Sequence, residues 1–311
     1  MAKILITGGA GFIPSCLADK LAQNSDNRLV IVDNLLTGSL DKVPTSKYDN
    51  IKFIKCDVNI LADISSVFYA YSFDYVFHYA AMVGVKRTQE NPVSVLEDIT
   101  GIKNVLNLSK NTGVKRVYYS SSSEVYGEPV EFPQNEETTP LNSRLPYAIV
   151  KNVGEAFLKS FKKEFDLDYT IFRFFNTYGS KQSKDFVVSK FISSALSNND
   201  ITIYGDGKQT RTFCYVDDNI AATTNAFYQN KFVNEVVNIG GENEITILEL
   251  AQTIIRLTNS KSKIIHLPAL VEGDMTRRQP DTSKMKQLVS SNLIGLEDGL
   301  KKLLENTSYI L

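Results

Sequence analysis

Tryptophan is missing from the 311-residue chain, histidine occurs twice and cysteine three times. His78 and His266 lie far apart and no cysteine pair has metal-ligand spacing, which argues against a zinc centre and leaves acid–base chemistry to other residue types. Cys16, Cys56 and Cys214 are odd in number and scattered. They make no disulfide framework, which points to a reducing cytoplasm. Charge of one sign is lacking as well: Lys+Arg 34 against Asp+Glu 35 leaves a net charge of -1. Nothing electrostatic therefore recruits nucleic acid or an anionic membrane. No apolar run reaches membrane-spanning length, and a first strand opening at Lys3 leaves no room for a signal peptide.

What is present is an alternation. The runs "KILIT" (3–7), "RLVIVD" (28–33), "IKFIKCD" (51–57), "YVFHYAA" (75–81) and "VKRVYYSSS" (114–122) read as strands. Helical patterns separate them, including Pro92 to Asn111, and a further helix from Pro146 to Phe165 leads into a sixth strand, "DYTIFRFFN". Such alternation predicts a doubly wound parallel sheet covered on both faces, an α/β fold of Rossmann type. Beyond residue 179 the elements shorten: "ITIYGDG", "RTFCYVDD" and "EVVNIGG" lie between helices such as 246–257. The expected organisation is a dinucleotide domain over 1–179, with a returning segment near 216–240, and a smaller mixed α/β substrate domain over 180–311. A cleft between the two is the natural place for a small molecule.

The first strand runs into a glycine cluster, Gly8, Gly9 and Gly11. Gly8 permits a tight turn and Gly11 a close backbone approach, so that amides and a positive helix end meet a pyrophosphate. Asp33 ends the second strand 22 residues after Gly11, where a carboxylate suits the adenosine ribose and repels a 2′-phosphate. NAD is thus expected over NADP. Where a third glycine would complete the spacing stands Pro14, in the first helical turn, where its missing N–H has no intrahelical partner to lose.

Two further stretches bear on chemistry. The fifth strand ends in "SSSSEVYG" (120–127), and about twenty residues later "PYAIVK" places Tyr147 and Lys151 four apart on a helix, on one face. An ammonium beside a phenol, with a positive nicotinamide ring, is expected to lower the phenol pKa toward neutrality and make it a general base.

Together "TGGAGFI", "DNLLTG", "CDV", "HYAA", "SSSEVYG", "YAIVK" and "RFFNTYG" resemble the extended short-chain dehydrogenase/reductase family, within it the nucleotide-sugar epimerases, dehydratases and decarboxylases. The resemblance runs from about residue 3 to about residue 305. It implies that Tyr147 is the base, that Lys151 holds both Tyr147 and the nicotinamide ribose, and that Ser122, flanked by Ser123 and Glu124, bonds the reacting sugar oxygen. It implies a cofactor site of Gly8, Gly11, Phe12, Ile13, Asp33, Asn34, Asp57, Val58, Ala80 and Ala81. Asn176, Arg211, Arg278 and Asp281 would hold a nucleotide-diphosphate sugar, the arginines through paired bonds to phosphate. Family helices matching 92–111 and 146–165 pair across a two-fold axis, so a homodimer is expected. The chain departs from the pattern at Pro14 and at Asp98, where the family often has asparagine.

The resemblance further implies that a sugar hydroxyl, usually O4, loses its proton to Tyr147 while hydride passes from the same carbon to NAD. Three fates then remain open. "VKRT" (85–88) resembles a stretch found in epimerases and some dehydratases, and 4-epimerisation of a UDP-hexose is the main expectation. Ser-Glu at 123–124 and Arg278 also suit UDP-glucuronate decarboxylases, although the stretch after "HYAA" does not; 4,6-dehydratases of the commonest type have Asp-Glu at that place, while their GDP-mannose branch resembles the "SSE" run. A reading of another class is a protein that holds NAD or a nucleotide-sugar without turnover.

Overall fold

Runs rich in Val, Ile, Phe and Tyr suit a pleated surface covered on both sides, and here they form strands. They are β1 (Ala2–Thr7), β2 (Asn27–Asp33), β3 (Ile51–Lys55), β4 (Tyr75–His78), β5 (Arg116–Ser122) and β6 (Asp168–Phe174). The computed structural model describes residues 1–269 and 277–309. In it these six strands and Glu235–Ile239 make one parallel sheet, in the order Glu235–Ile239, β6, β5, β4, β1, β2, β3. The direction of winding reverses between β1 and β4, which opens a crevice at their carboxyl ends.

Alternation along β1 sends Ile4 and Ile6 to one core and Leu5 to the other, and all three are fully buried. Helix α1 (Phe12–Ala22) and helix Val216–Tyr228 pack together over the first face. On the second face α2 (Leu61–Tyr71) packs on α4 (Pro92–Thr112), which packs on α5 (Pro146–Phe165); short α3 (Val85–Glu90) leads into α4. Gly154 is what lets α5 lie close to the sheet, since a Cβ there would stand 2.2 Å from the Tyr119 hydroxyl on β5.

Several strands are a few residues shorter than the sequence reading, and two of the differences have a clear cause. β4 stops at His78 rather than Ala81, because the amides of Tyr79 and Ala80 donate to Thr7 Oγ1, both at 3.1 Å, instead of to a strand. "RTFCYVDD" is not one strand. Thr210–Thr212 pairs with Glu244–Thr246, then Cys214–Tyr215 switches to Thr177–Tyr178, and a helix begins at Val216.

The smaller region couples strand Ile201–Tyr204 to Ile264–Leu267, and Arg277–Arg278 to Thr210–Thr212. Its helix Ile247–Thr258 starts on a capping box in which Thr246 and Glu249 each satisfy the other's backbone amide. Among the described residues no helix is long and apolar enough to cross a membrane.

Candidate active site

A cavity of about 880 Å³ follows the carboxyl ends of the sheet strands. At one end is the glycine turn. Gly8 has φ +69°, and a Cβ there would stand 2.7 Å from the Ala80 backbone, so the residue serves both the turn and the close approach of β4. A side chain at Gly9 would overlap Ile31 on β2. Helix α1 opens on Gly11 with no side-chain cap, which leaves the amides of Phe12 and Ile13 for an anion. Pro14 takes the third helical position with its ring buried, and it lines the cavity without closing it.

Asp33 accepts hydrogen bonds from the amides of Ala10 (3.0 Å) and Leu35 (2.7 Å). Burial pushes its carboxyl up, against the pull of these two bonds and of Lys42. A carboxylate has about four acceptor positions, so two remain for ribose hydroxyls. Asn34 Nδ2 donates to Asp57 at 3.0 Å, and these two residues line the cavity with Val58, Ala80 and Ala81. Turn, uncapped helix and half-used carboxylate fit a dinucleotide.

Tyr147 and Lys151 lie on the first turns of α5, behind Pro146, whose missing amide is harmless at that position. Lys151 Nζ donates to the Ser120 carbonyl at 2.7 Å and reaches Ser120 Oγ at 3.4 Å. Its ammonium sits 5.0 Å from the Tyr119 ring centre and 5.7 Å from that of Tyr147. Burial lowers Lys151 to about 8, and Asp98 works in the opposite direction. The Tyr147 side chain and Ser122 both line the cavity. Burial, then Glu124, raises the Tyr147 phenol, while the Ser122 hydroxyl and Arg278 pull it down. The fall expected from the lysine is therefore reversed in the protein by itself: Lys151 is turned to the end of β5, and burial is the larger influence.

The far end of the cavity is lined by Ser122, Ser123, Glu124, Asn176, Phe186, Phe213 and Arg278. Arg278 Nη2 donates to Glu124 Oε1 at 2.9 Å, a pair joining residues 154 apart, with both side chains largely buried. Asn176 has a left-handed backbone, φ +30°, and donates to the Thr212 carbonyl. Arg211 lies beside Arg278 in the strand register but outside the cavity lining, with its guanidinium on the Thr210 carbonyl. Asp281 also lies outside the lining and accepts from Ser283 N and Asn135 Nδ2. Sequence reasoning did not assign a role to Ser120, whose contribution is a backbone carbonyl, or to Asp98, marked only as a departure from the family pattern. Asp98 lines the cavity and accepts from Met82 N at 2.7 Å.

Residues 4–240 match the model of the NAD dependent epimerase/dehydratase family. The chain belongs to that family. A UDP-N-acetyl-alpha-D-glucosaminuronate decarboxylase of Bacillus cytotoxicus is 37% identical over 97% of each chain. The UDP-glucose 4-epimerase of Thermotoga maritima, solved with UDP-glucose, superposes with a TM-score of 0.90 at 32% identity, covering 99% of this chain and 98% of the other. The Thermus thermophilus UDP-glucose 4-epimerase, solved with NAD, gives 0.89 at 25% identity, covering 99% and 98%. The family member described here is thus an NAD-dependent enzyme of nucleotide-sugar chemistry, with a Rossmann-type sheet as expected.

Proposed function

We propose that the protein oxidises a UDP-hexuronate at C4 and decarboxylates the resulting ketone. The observation that carries this reading is the Glu124–Arg278 ion pair, at 2.9 Å beside the Tyr147 phenol. Tyr147, whose phenol the positive nicotinamide of bound NAD would pull back down, takes the proton from the sugar hydroxyl, and Ser122, which lines the same cavity, orients that oxygen. Lys151 is held against the end of β5, with its ammonium 5.7 Å from the Tyr147 ring centre. NAD, when bound, accepts the hydrogen and two electrons leaving C4. A 4-ketone stands β to the C6 carboxylate, so the C5–C6 bond breaks with its electrons moving into the ketone, and CO2 departs. C5 then takes a proton, and return of the hydride to C4 with a proton from Tyr147 to O4 leaves a UDP-pentose and no net oxidation.

Epimerisation asks nothing of the protein beyond Tyr147 and room for the ring to turn. Decarboxylation also needs a cation to seat the carboxylate and a group to deliver the C5 proton, and Arg278 and Glu124 are of those two kinds. The 4-epimerase expected from "VKRT" is the second reading, supported by the likeness to the Thermotoga enzyme. Non-catalytic binding is disfavoured by the intact Ser122, Tyr147 and Lys151 cluster. We also infer a homodimer through α4 and α5, and bonds from Arg278 and Asn176 to the substrate.

The test is to incubate the protein with NAD and UDP-glucuronate or UDP-N-acetylglucosaminuronate, and with UDP-glucose and UDP-N-acetylglucosamine in parallel, reading products by NMR. The expected result is CO2 and a UDP-pentose from a uronate. A 4-epimer from the neutral sugars with uronates left intact replaces this reading by the second one.

A further inference from the structure

Tyr126 ends the short helix Ser123–Tyr126, the turn that also carries Glu124. Residues two apart on such a turn face different sides, so Glu124 meets the cavity while Tyr126 is buried. Its ring lies with Val125 and Phe175 in a small core apart from the two that flank the sheet. The hydroxyl is used twice: it accepts Arg173 Nη1 at 2.8 Å and donates to Asn238 Oδ1 at 2.8 Å. Behind Arg173 stands the catalytic helix. Arg173, on β6, grips Glu155 of α5 through two bonds at 2.9 and 2.7 Å, and Ser121 Oγ, on β5, donates to the same carboxylate at 2.6 Å. All of these side chains are buried.

The other branch leads to the substrate arm. Asn238, on strand Glu235–Ile239, donates from Nδ2 to the Gln134 carbonyl at 2.9 Å. Gln134 pairs with the chain just after Arg278: its amide donates to the Gln279 carbonyl at 2.7 Å, and its carbonyl also accepts Asp281 N at 2.8 Å. Arg278 in turn donates to Glu124 at 2.9 Å. The path closes on itself, leaving the short helix at Tyr126 and returning at Glu124, two residues earlier. A side-chain amide engaged at both Oδ1 and Nδ2 has one orientation. Released at Oδ1, it can turn and let Gln134 and the chain after Arg278 shift. Buried groups such as Arg173 Nη1 and Asn238 Oδ1 are costly to leave without the hydroxyl, so the native arrangement holds while it is present.

We propose that Tyr126 is a positioning residue for the carboxylate-handling half of the reaction, its hydroxyl setting Arg278 against Glu124 through Asn238 and Gln134. The inference rests on the decarboxylation reading for its kinetic consequence, but not for its structural one. C4 oxidation uses Tyr147, Ser122 and NAD, none of which belongs to this path. Seating the uronate carboxylate and protonating C5 use Arg278 and Glu124, which do. Loss of the hydroxyl therefore falls on recognition of the uronate and on delivery of the C5 proton. A purely structural role would weaken NAD binding, oxidation and decarboxylation together.

Tyr126→Phe removes the hydroxyl and keeps the ring; Asn238→Leu, close in volume, cuts the same path one residue further along. In substrate-free protein, 15N NMR of labelled arginine follows the Arg278 guanidinium, assigned by its loss in Arg278→Lys. Expected are distinct Nη resonances in the unaltered protein, where Glu124 holds Nη2, and one averaged resonance in both variants. With UDP-glucuronate or UDP-N-acetylglucosaminuronate, KM should rise about tenfold in each variant, the scale of one lost bond to a charged group, with NAD affinity unchanged. In D2O the unaltered protein should place deuterium on one face of C5, and the variants on both. Unchanged Arg278 resonances in either variant, or averaged ones in the unaltered protein, overturn the proposal. So does a loss of NAD affinity in step with uronate binding, or an unchanged KM with decarboxylation intact. Averaged resonances in the variants, with no decarboxylation by the unaltered protein, overturn the functional reading instead and leave Tyr126 in its role.

Discussion

At the scale of the residue, the site is assembled from groups held away from their ordinary ionisation. Lys151, lowered from 10.5 to about 8, is the clearest case. A lysine whose folded pKa is depressed destabilises the fold fully at any pH below the folded value, because the unfolded chain carries the same charge in water. That penalty is relieved as pH rises from about 8 to 10.5, where the unfolded state binds the extra proton. Lys151→Met, close in volume, should therefore abolish C4 oxidation while raising the thermal midpoint at pH 7. The gain should shrink through that window. Thermal unfolding at pH 7 and pH 10 checks this; an equal difference at both would show that the ammonium is not the source. Asp33 shows how such details hide from a sequence. Its position at the end of β2 marks it as a ribose ligand, but nothing in the pattern tells that half its acceptor capacity goes to Ala10 and Leu35.

At the scale of the element, the position of α5 against β5 decides whether Tyr147 and Lys151 reach the strand end. Gly154, three residues after Lys151, faces the Tyr119 ring, with an added Cβ at 2.2 Å from the hydroxyl and 2.5 Å from Cζ. An aromatic ring packed in a core cannot step aside cheaply, so Gly154→Ala should cost about 1–3 kcal/mol of stability. It should also slow the reaction by pushing Lys151 off the Ser120 carbonyl. Tyr119→Phe in the same chain removes the hydroxyl but not Cζ, so rescue should be partial in both denaturant midpoint and kcat; full rescue would place the clash at the hydroxyl alone. The strands, α4 and α5 were legible because their apolar periods and flanking signals are local. Pro92 and Pro146 open α4 and α5, and α5 ends at Phe165 as read. The end of β4 was not legible, because it is set by the Thr7 hydroxyl, 71 residues upstream of His78, collecting the next two amides.

At the scale of the whole molecule, the substrate end of the cleft depends on contacts that no local pattern announces. Arg278 meets Glu124 because Gln134 clamps its segment, donating to the Gln279 carbonyl at 2.7 Å and accepting from Asp281 N at 2.8 Å. Asn238 donates to the same Gln134 carbonyl and accepts from Tyr126, which in turn takes a bond from Arg173, paired with Glu155 on α5. A chain of buried polar groups thus ties the catalytic helix to the substrate arm. Arg211 and Asp281 carry the same motif signals as Arg278 yet lie outside the cavity lining, which is why motif membership alone did not rank them.

On the outer side of α4 and α5, Val93 is 72%, Leu96 41% and Ile149 38% exposed among the described residues. Apolar side chains adjacent on two packed helices favour burial against a second copy of the same face, as an isologous dimer would provide. Leu96→Glu with Ile149→Glu places like charges on both sides of that contact and should yield monomers by light scattering at micromolar concentration, where the unaltered protein gives twice the chain mass. The glycine turn and Asp33, at the cofactor end of the cavity, belong to β1, α1 and β2 rather than to α4 or α5. NAD binding by the monomeric variant, read by fluorescence titration, should therefore survive, and its loss together with the dimer would mean that the second subunit sets the position of α5. A monomeric unaltered protein would instead leave these side chains as ordinary surface.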